Sequence, residues 1–156
     1  MTVLRLLVLM AVGCFSLIAT PAWPAACRVT VTPLAFGSYD IFLMTAKAAT
    51  AQVTIICNNK ATDPVSVQLT LTAGSSSNFG QRAMTGSAGG APLLYNIYTT
   101  AGLSAVMGDG NGGSTAPSAL VDKTAPWVLT LYGSIPPQQS VLVGSYSDSL
   151  IATINY

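Results

Sequence analysis

The sequence predicts an all-β protein that folds as one antiparallel β-sandwich. Apolar and polar residues alternate with a period of two along several short stretches, and segments rich in Gly, Ser, Asn and Pro separate them. No stretch after residue 27 keeps a helical period, and several short strands divided by turns are typical of a sandwich. At 156 residues, the chain is long enough for one domain with one core.

The predicted strands follow one another along the chain. The clearest is 65–72, where every second residue from Val65 to Leu71 is apolar and the residues between them are polar. The other predicted strands are 28–32, 52–57, 93–99, 127–132, the short run 141–143 and the last run 149–156. Residues 41–51 are expected to hold a short helical turn, and residues 73–80 and 107–119 to be surface loops.

The first 26 residues have the pattern of a secretory signal peptide. A basic residue and an apolar stretch come before small residues that offer cleavage after Ala22 or after Ala26. A transmembrane helix is the alternative, but the apolar stretch is shorter than the roughly 20 residues that a bilayer requires. We therefore expect a secreted domain at residues 27–156, with no membrane span in the mature chain.

Two cysteines remain once the signal peptide is removed, Cys27 and Cys57. Disulfides form in the oxidising compartments that secreted proteins pass through, and one pair allows only one intramolecular bridge. In the chain-entropy model, closing a loop of about 30 residues stabilises the fold by about 3.7 kcal/mol. A reactive or metal-binding pair would need a neighbouring base or further ligands, and a lipoprotein with Cys14 or Cys27 lipidated fits the surrounding residues poorly. We predict a structural disulfide.

The composition excludes several functional classes. Charged residues make up 7% of the chain, and after residue 26 five bases balance five acids. This body has no basic surplus that would bind a nucleic-acid backbone. The chain contains no His and no Glu, which excludes Ser-His-Asp and Cys-His catalysis and removes the commonest transition-metal ligand.

Two groups of polar residues are candidate chemical sites. The run Asp109-Gly110-Asn111-Gly112-Gly113 resembles the start of a calcium-binding loop, but such a loop closes with a Glu, and the chain has none. We favour a glycine-rich turn. Asp148 has no second carboxylate nearby in sequence, so we expect it to accept a hydrogen bond in a turn before the last strand. The sequence therefore predicts no metal site, no cofactor and no enzyme activity.

The last predicted strand has an edge that needs a partner. Every second residue from Leu150 to Tyr156 is apolar, and no residues follow that could form another strand. A terminal strand with one apolar face and no charge on its edge is an open template for pairing. We expect another part of the chain, or another molecule, to cover this edge.

A series of landmarks in a fixed order gives the chain a resemblance to a known family. They are Cys27 with Val29, Phe36-Gly37-Ser38-Tyr39, 53–57, Arg82-Ala83-Met84, 94–98, Tyr132-Gly133-Ser134-Ile135-Pro136, Gly144-Ser145-Tyr146-Ser147-Asp148 and 151–156. With these, the chain resembles the spore coat protein U family, which includes subunits of archaic chaperone–usher pili of the Csu type. Members often carry Trp-Gly-Asp-Gly where this chain has Met107-Gly108-Asp109-Gly110, so we expect that loop to pack differently.

The resemblance implies an incomplete immunoglobulin-like sandwich that lacks its last strand. A periplasmic chaperone lends a strand, and a neighbouring pilus or coat subunit then replaces it after passage through an outer-membrane usher; this is β-strand addition to an open edge. On this resemblance, one wall of the accepting groove, and the chaperone contact, is expected to be formed by Leu150, Ala152, Ile154 and Tyr156. The implied destination is the cell surface, reached through the periplasm.

The segment ahead of the first cysteine suggests a position in such a fibre. Cleavage after Ala22 leaves only Trp23-Pro24-Ala25-Ala26, whereas a donor strand needs roughly ten residues at about 3.3 Å each. We therefore expect a structural subunit that accepts a strand without giving one, in a minor or terminal position. The alternative is a tip adhesin that touches a surface through exposed Trp127, Met107 or apolar loop residues.

Overall fold

The computed structural model describes residues 26–156 and places them in two antiparallel sheets. Apart from Ala26, the predicted signal peptide lies outside the described residues. The elements are β1 Cys27–Val31, β2 Lys47–Cys57, β3 Val65–Leu71, a 3₁₀ turn at Gly74–Ser76, β4 Arg82–Gly86, β5 Leu93–Tyr98, β6 Ser118–Val121, β7 Trp127–Ile135, β8 Tyr146–Ser147 and β9 Ala152–Asn155. The predicted all-β class and sandwich arrangement are confirmed.

The two sheets differ in size. One has six strands in the order β1-β2-β7-β5-β4-β8, and the other has three in the order β6-β3-β9. The longest pairing joins β2 to β7, from Lys47 opposite Ile135 to Ile55 opposite Trp127. Because each strand alternates its side chains between faces, the apolar residues of both sheets point into the space between them.

The disulfide joins the first two strands at one end of the large sheet. Cys27 lies directly opposite Cys57 in the β1–β2 ladder, and the two sulfur atoms are 2.00 Å apart. Cys57 is 1% exposed and belongs to the core cluster, against which Cys27 packs. The bridge therefore fixes the edge strand β1 to the buried strand β2.

Some local predictions were wrong. The helical turn expected within 41–51 is absent, because residues 47–51 belong to β2 and continue its alternation of buried and exposed side chains. Residues 141–143 form no strand, and Val143 is fully exposed. The short strands β4, β6 and β8 were not predicted, since their two to five residues carry little periodic signal.

A buried arginine ties two loops to β4. Arg82 is 0% exposed, and its guanidinium donates hydrogen bonds to Asn96 Oδ1 (2.7 Å) and to the backbone oxygens of Met107 (2.7 Å) and Thr72 (3.0 Å). It also lies 5.4 Å from the centre of the Phe79 ring. Burial lowers the pKa of this guanidinium. The sequence predicted no structural role for Arg82, whose side chain donates hydrogen bonds to carbonyl groups inside the fold.

Within residues 26–156, no helical segment combines the length and the apolar character that crossing a membrane requires.

Candidate functional site

The small sheet leaves part of the large sheet without a partner. Beyond β9, the inner face of β7, β5 and β4 is not covered by a strand among the described residues. An irregular segment, residues 33–39, crosses this face directly after β1; we call it the crossing segment. Its side chains Leu34 and Phe36 pack against the core from the side that β9 does not reach.

The crossing segment is seated over a glycine. A Cβ atom added at Gly133 of β7 would lie 2.7 Å from Phe36 Cζ and 2.8 Å from Leu34 Cδ2, so the missing side chain makes room for both. The Phe36 ring also meets the Tyr95 ring edge-on, with centroids 6.0 Å apart. At the far end, the Tyr39 hydroxyl donates to Pro136 O (2.8 Å) and accepts from the Gln139 N–H (3.0 Å). These contacts hold the segment on the sheet.

Two cavities open between this segment and the chain that leads into β9. Their volumes are about 540 Å³ and about 800 Å³. Both are lined by Leu34, Phe36, Met84 and Tyr146, so the two cavities adjoin, and we call them together the slot. Residues 31–42 form one wall of the slot and residues 141–152 form the other.

The two walls run in opposite directions. Residues 31–34 share the smaller cavity with residues 146–152, and residues 34–42 share the larger cavity with residues 141–146. Apolar residues of the large sheet form the floor: Ala51, Met84, Leu93, Tyr95, Ile97, Leu131 and Ile135. A strand inserted into this slot would be antiparallel to one wall and parallel to the other, whichever way it enters.

The backbone of β9 presents an open edge to the slot. Ala152 pairs with Leu71 and Ile154 pairs with Leu69 of β3. The N–H groups of Leu69 and Leu71 donate to Pro117 O and Gly108 O, which lie away from β9. In an antiparallel pair, two residues opposite each other either both point their N–H and C=O groups toward the partner strand or both point them away from it. Leu69 and Leu71 point theirs away from β9, so Ile154 and Ala152 direct theirs away from β3. Both residues therefore offer hydrogen bonds to an added strand.

A polar network fixes the chain just before β9. Asp148 Oδ1 accepts from the N–H groups of Ser75 (3.0 Å) and Ser149 (2.9 Å), and Oδ2 accepts from the Tyr95 hydroxyl (2.8 Å). Burial, with help from this bond, raises the pKa of Tyr95. The predicted turn bond of Asp148 is present, and two further bonds join this wall to the 3₁₀ turn and to β5.

The predicted groove residues lie where β9 meets the slot. Leu150, Ala152 and Ile154 are half-buried and pack against the core cluster, and the first two line the slot. Tyr156 is different, because it is 58% exposed beyond the end of β9. The opposite wall was missed, since the crossing segment has no strand-like alternation in the sequence.

Two of the residues proposed for surface contact, Met107 and Trp127, are not among the exposed apolar side chains. Met107 is 0% exposed and belongs to the core cluster, and Trp127 is half-buried against it. That part of the adhesin hypothesis was wrong. The Met107 loop is instead organised by Asp109, whose Oδ1 accepts from the Asn111 N–H (2.9 Å), and this bond holds the pKa of Asp109 below its usual range. This geometry confirms a turn.

The slot lacks the elements of a metal-binding site. Among residues 26–156, no three acidic or cysteine side chains lie together in a way that could hold a metal ion. The slot therefore offers an apolar floor and a strand edge, and the arrangement is suited to binding extended polypeptide.

Comparison with known proteins identifies the family. The model of the Spore Coat Protein U domain matches residues 14–153. The chain belongs to the Spore Coat Protein U domain family. No curated protein sequence matches it. Membership agrees with the resemblance carried by the sequence landmarks.

Solved structures share this fold. The chain is similar to a chain of the crystal structure of the CsuC–CsuE chaperone–tip adhesion subunit pre-assembly complex from archaic chaperone–usher Csu pili of Acinetobacter baumannii. The TM-score is 0.61 at 20% sequence identity, and the match covers 85% of this chain. It covers 40% of that chain, so this protein spans less than half of its structural neighbour.

Proposed function

We propose that the protein is a non-enzymatic structural subunit of a secreted surface fibre or spore coat that is assembled by a chaperone and an usher. Its domain, at residues 27–156, accepts a donor β-strand into the slot between residues 31–42 and residues 141–152. One observation carries the proposal: the backbone N–H and C=O groups of Ala152 and Ile154 point away from β3, and Ala152 lines an apolar slot. Family membership supports it.

The geometry supports strand addition over other kinds of binding. The donor would bond to β9 through its backbone, and its alternate side chains would enter the core opposite Ala152 and Ile154. The donor side chains that enter the slot would be apolar, because the floor of the slot is apolar. Such a strand would complete an immunoglobulin-like sandwich, with Leu150, Ala152, Ile154 and Tyr156 forming one wall of the contact.

The partners follow from this mode of assembly. They are a periplasmic chaperone that lends the first strand, an outer-membrane usher, and a neighbouring subunit whose strand replaces that of the chaperone. The short segment between Ala22 and Cys27, interrupted by Pro24, supports a minor or terminal position, because proline cannot donate to a strand ladder. The protein would be exported through the periplasm to the cell surface.

A proline in β9 tests strand addition directly. Ala152→Pro removes an N–H that faces the slot and leaves the bonds between β9 and β3 in place. We expect the variant to lose co-purification with its chaperone from the periplasm by at least about tenfold. Ala152→Val, which keeps the N–H and adds two methyl groups at the same site, is the matched control and should be captured like the wild type. Equal capture of the proline variant would rule out this edge as the acceptor.

The behaviour of the unmodified chain provides a second test. Produced alone, the mature chain should be cleaved rapidly by added protease, because its core is open along the slot. Produced with its chaperone, it should resist the protease and elute as a complex of one molecule of each. A resistant monomer without the chaperone would mean that the sandwich is complete by itself.

A tip adhesin is the second candidate, and the exposed apolar loop residues of that hypothesis support it. Phe42 is 83% exposed, Met44 is 82% exposed and Val143 is 100% exposed. Contiguous apolar surface of this kind marks contact sites. Loss of attachment to a hydrophobic surface by variants at these residues, with assembly unchanged, would favour this candidate.

A further inference from the structure

Exposed apolar side chains surround the outer end of the slot. Four residues line the larger cavity there: Ile41, Phe42, Leu142 and Val143. We call these four the apolar mouth. Their exposed fractions range from 37% for Ile41 to 100% for Val143. An apolar surface of this kind in contact with water is unfavourable unless a partner covers it.

Hydrogen bonds hold both halves of the apolar mouth outward. On one wall, Asp40 Oδ1 accepts from the Phe42 N–H (2.9 Å), and Asp40 O accepts from the Leu43 N–H (3.3 Å). On the other wall, the Tyr146 hydroxyl donates to Leu142 O (2.8 Å). The side chain of Leu142 also reaches Gly90, where an added Cβ would lie 2.9 Å from Leu142 Cδ1. Local structure thus presents these side chains to solvent.

We propose that the apolar mouth is a second contact surface for the protein that donates the strand, and that it receives apolar side chains adjoining the inserted strand. The inference rests on the proposed function. Phe42 stands on one wall and Val143 on the other, so a strand that fills the larger cavity passes between them. The polypeptide on either side of that strand is therefore the nearest material that can cover both.

The shape of the mouth favours this occupant over a flat surface or a second copy. The cavity between the two halves measures about 800 Å³, and Ile41 faces it from the wall. A flat hydrophobic surface would touch the outermost side chains and leave this volume unfilled. A second copy would place its own Phe42 and Val143 against those of the first copy. No described strand of this chain is free to enter the cavity.

The chemistry of the mouth specifies the donor residues. Asp40 is the one charged side chain among the residues that line the larger cavity, and its carboxylate is engaged by the Phe42 N–H. The contacting part of the donor should therefore carry uncharged, mostly apolar residues next to its strand. A donor carboxylate placed there would lose hydration and would face the like charge of Asp40.

The dissociation rate of the complex with the chaperone tests the inference. The double variant Phe42→Ser/Val143→Ser removes apolar surface from both walls and leaves the backbone of β9 unchanged. We expect the complex to form and to dissociate at least about tenfold faster than the wild type, measured by competition with excess unlabelled subunit. Leu120→Ser is the matched control, because Leu120 is 66% exposed but lies on β6, outside the lining of the slot. Its complex should dissociate at the wild-type rate.

The possible outcomes separate this inference from the proposed function. If the complex of the double variant dissociates at the wild-type rate, the inference is overturned. If that variant also loses attachment to polystyrene, the apolar mouth is assigned to surface adhesion. Failure of the wild-type chain to form any complex overturns the proposed function and the inference with it. Faster dissociation of both the double variant and Leu120→Ser would also overturn the inference, because the effect would then not be specific to the mouth.

Discussion

The two halves of the sandwich are built from the same large sheet but are closed in different ways. Where β3, β6 and β9 face it, the core is sealed by strands, and five of its side chains are at most 1% exposed: Val53, Ile55, Val67, Leu69 and Val121. Beyond β9, the same sheet is covered by the crossing segment and by the slot. We call these the closed half and the open half.

The difference shows two ways in which one sheet is covered. In the closed half, each inward side chain meets another from the facing sheet, as in ordinary sheet packing. In the open half, Leu34 and Phe36 supply part of the cover, and Gly133 gives them the space. The remaining volume is about the size of the cavities that bind ligands in other proteins. The open half therefore leaves a cavity beside the apolar floor of the large sheet.

The largest expected effect concerns the closed half. Cys57→Ser should lower the free energy of unfolding by about 2–5 kcal/mol, because it removes the bridge that fixes β1 to β2. Urea denaturation of the mature domain with its chaperone bound measures this change. Cys27→Ser is the control that breaks the same bridge from the less buried side. Unchanged unfolding of both variants would contradict a structural role for the disulfide.

A somewhat smaller effect is expected at the boundary between the halves. Arg82→Met should lower the free energy of unfolding by about 3 kcal/mol, since it leaves the backbone oxygens of Thr72 and Met107 without a donor and Asn96 Oδ1 with the Ile97 N–H alone. The Thr72 N–H in turn bonds to Ile151 O, so β9 should lose order as well.

The control for this variant is Arg82→Lys, which keeps the charge but cannot reach the three acceptors together. We expect it to recover only part of the lost stability in the same urea experiment. Full recovery would mean that the positive charge, and not the geometry of the guanidinium, stabilises this site.

A change confined to the open half should lower the free energy of unfolding by a smaller amount. Gly133→Ala places a methyl group where Leu34 and Phe36 now pack, and overpacking of this kind costs about 1–3 kcal/mol. We expect faster proteolysis within residues 33–39, detected by mass spectrometry of the fragments. Gly102→Ala is the control, because no atom lies within 4 Å of a Cβ at that position. Equal cleavage of the two variants would show that Gly133 does not seat the crossing segment.

The smallest effect is a dependence on pH in the closed half. Asp122 accepts hydrogen bonds from the Thr124 hydroxyl, the Thr124 N–H and the Ala125 N–H, which hold its pKa below the usual range. A depressed pKa in the folded state adds stability above the pKa of the unfolded chain, and this is lost as the pH falls through the folded value. We expect Tm to drop below about pH 4. The Tm of Asp122→Asn should fall less steeply over the same pH range. Identical plots of Tm against pH for the variant and the wild type would exclude Asp122 as the source of the pH dependence.

Several features of the closed half could be predicted from the sequence. Alternation is strong in residues 65–72 and 52–57, because one face of each strand packs on the core and the other meets solvent. The same rule found the last strand and its inward residues Leu150, Ala152 and Ile154. Alternation in the sequence indicates that one face of a strand is buried, and each of these strands has one buried face.

The open half could not be predicted in the same way. Within residues 33–39, Leu34 and Phe36 are half-buried by contacts with Gly133 and Tyr95, which lie far away in sequence. Arg82 was also misjudged, because its partners are loop carbonyl groups that the sequence does not bring near it. In the apolar run 41–44, a turn at Asp40 leaves Phe42 and Met44 more than 80% exposed.

Backbone hydrogen exchange of β9 in the chaperone complex tests the central claim most directly. The N–H of Thr153 faces β3, whereas those of Ala152 and Ile154 point away from it, toward the outer edge of β9. If a donor strand occupies the slot, all three N–H groups should exchange slowly in the complex, because each has a partner. Slow exchange at Thr153 with rapid exchange at Ala152 and Ile154 would show that β9 is folded while its outer edge stays open, and it would contradict strand addition.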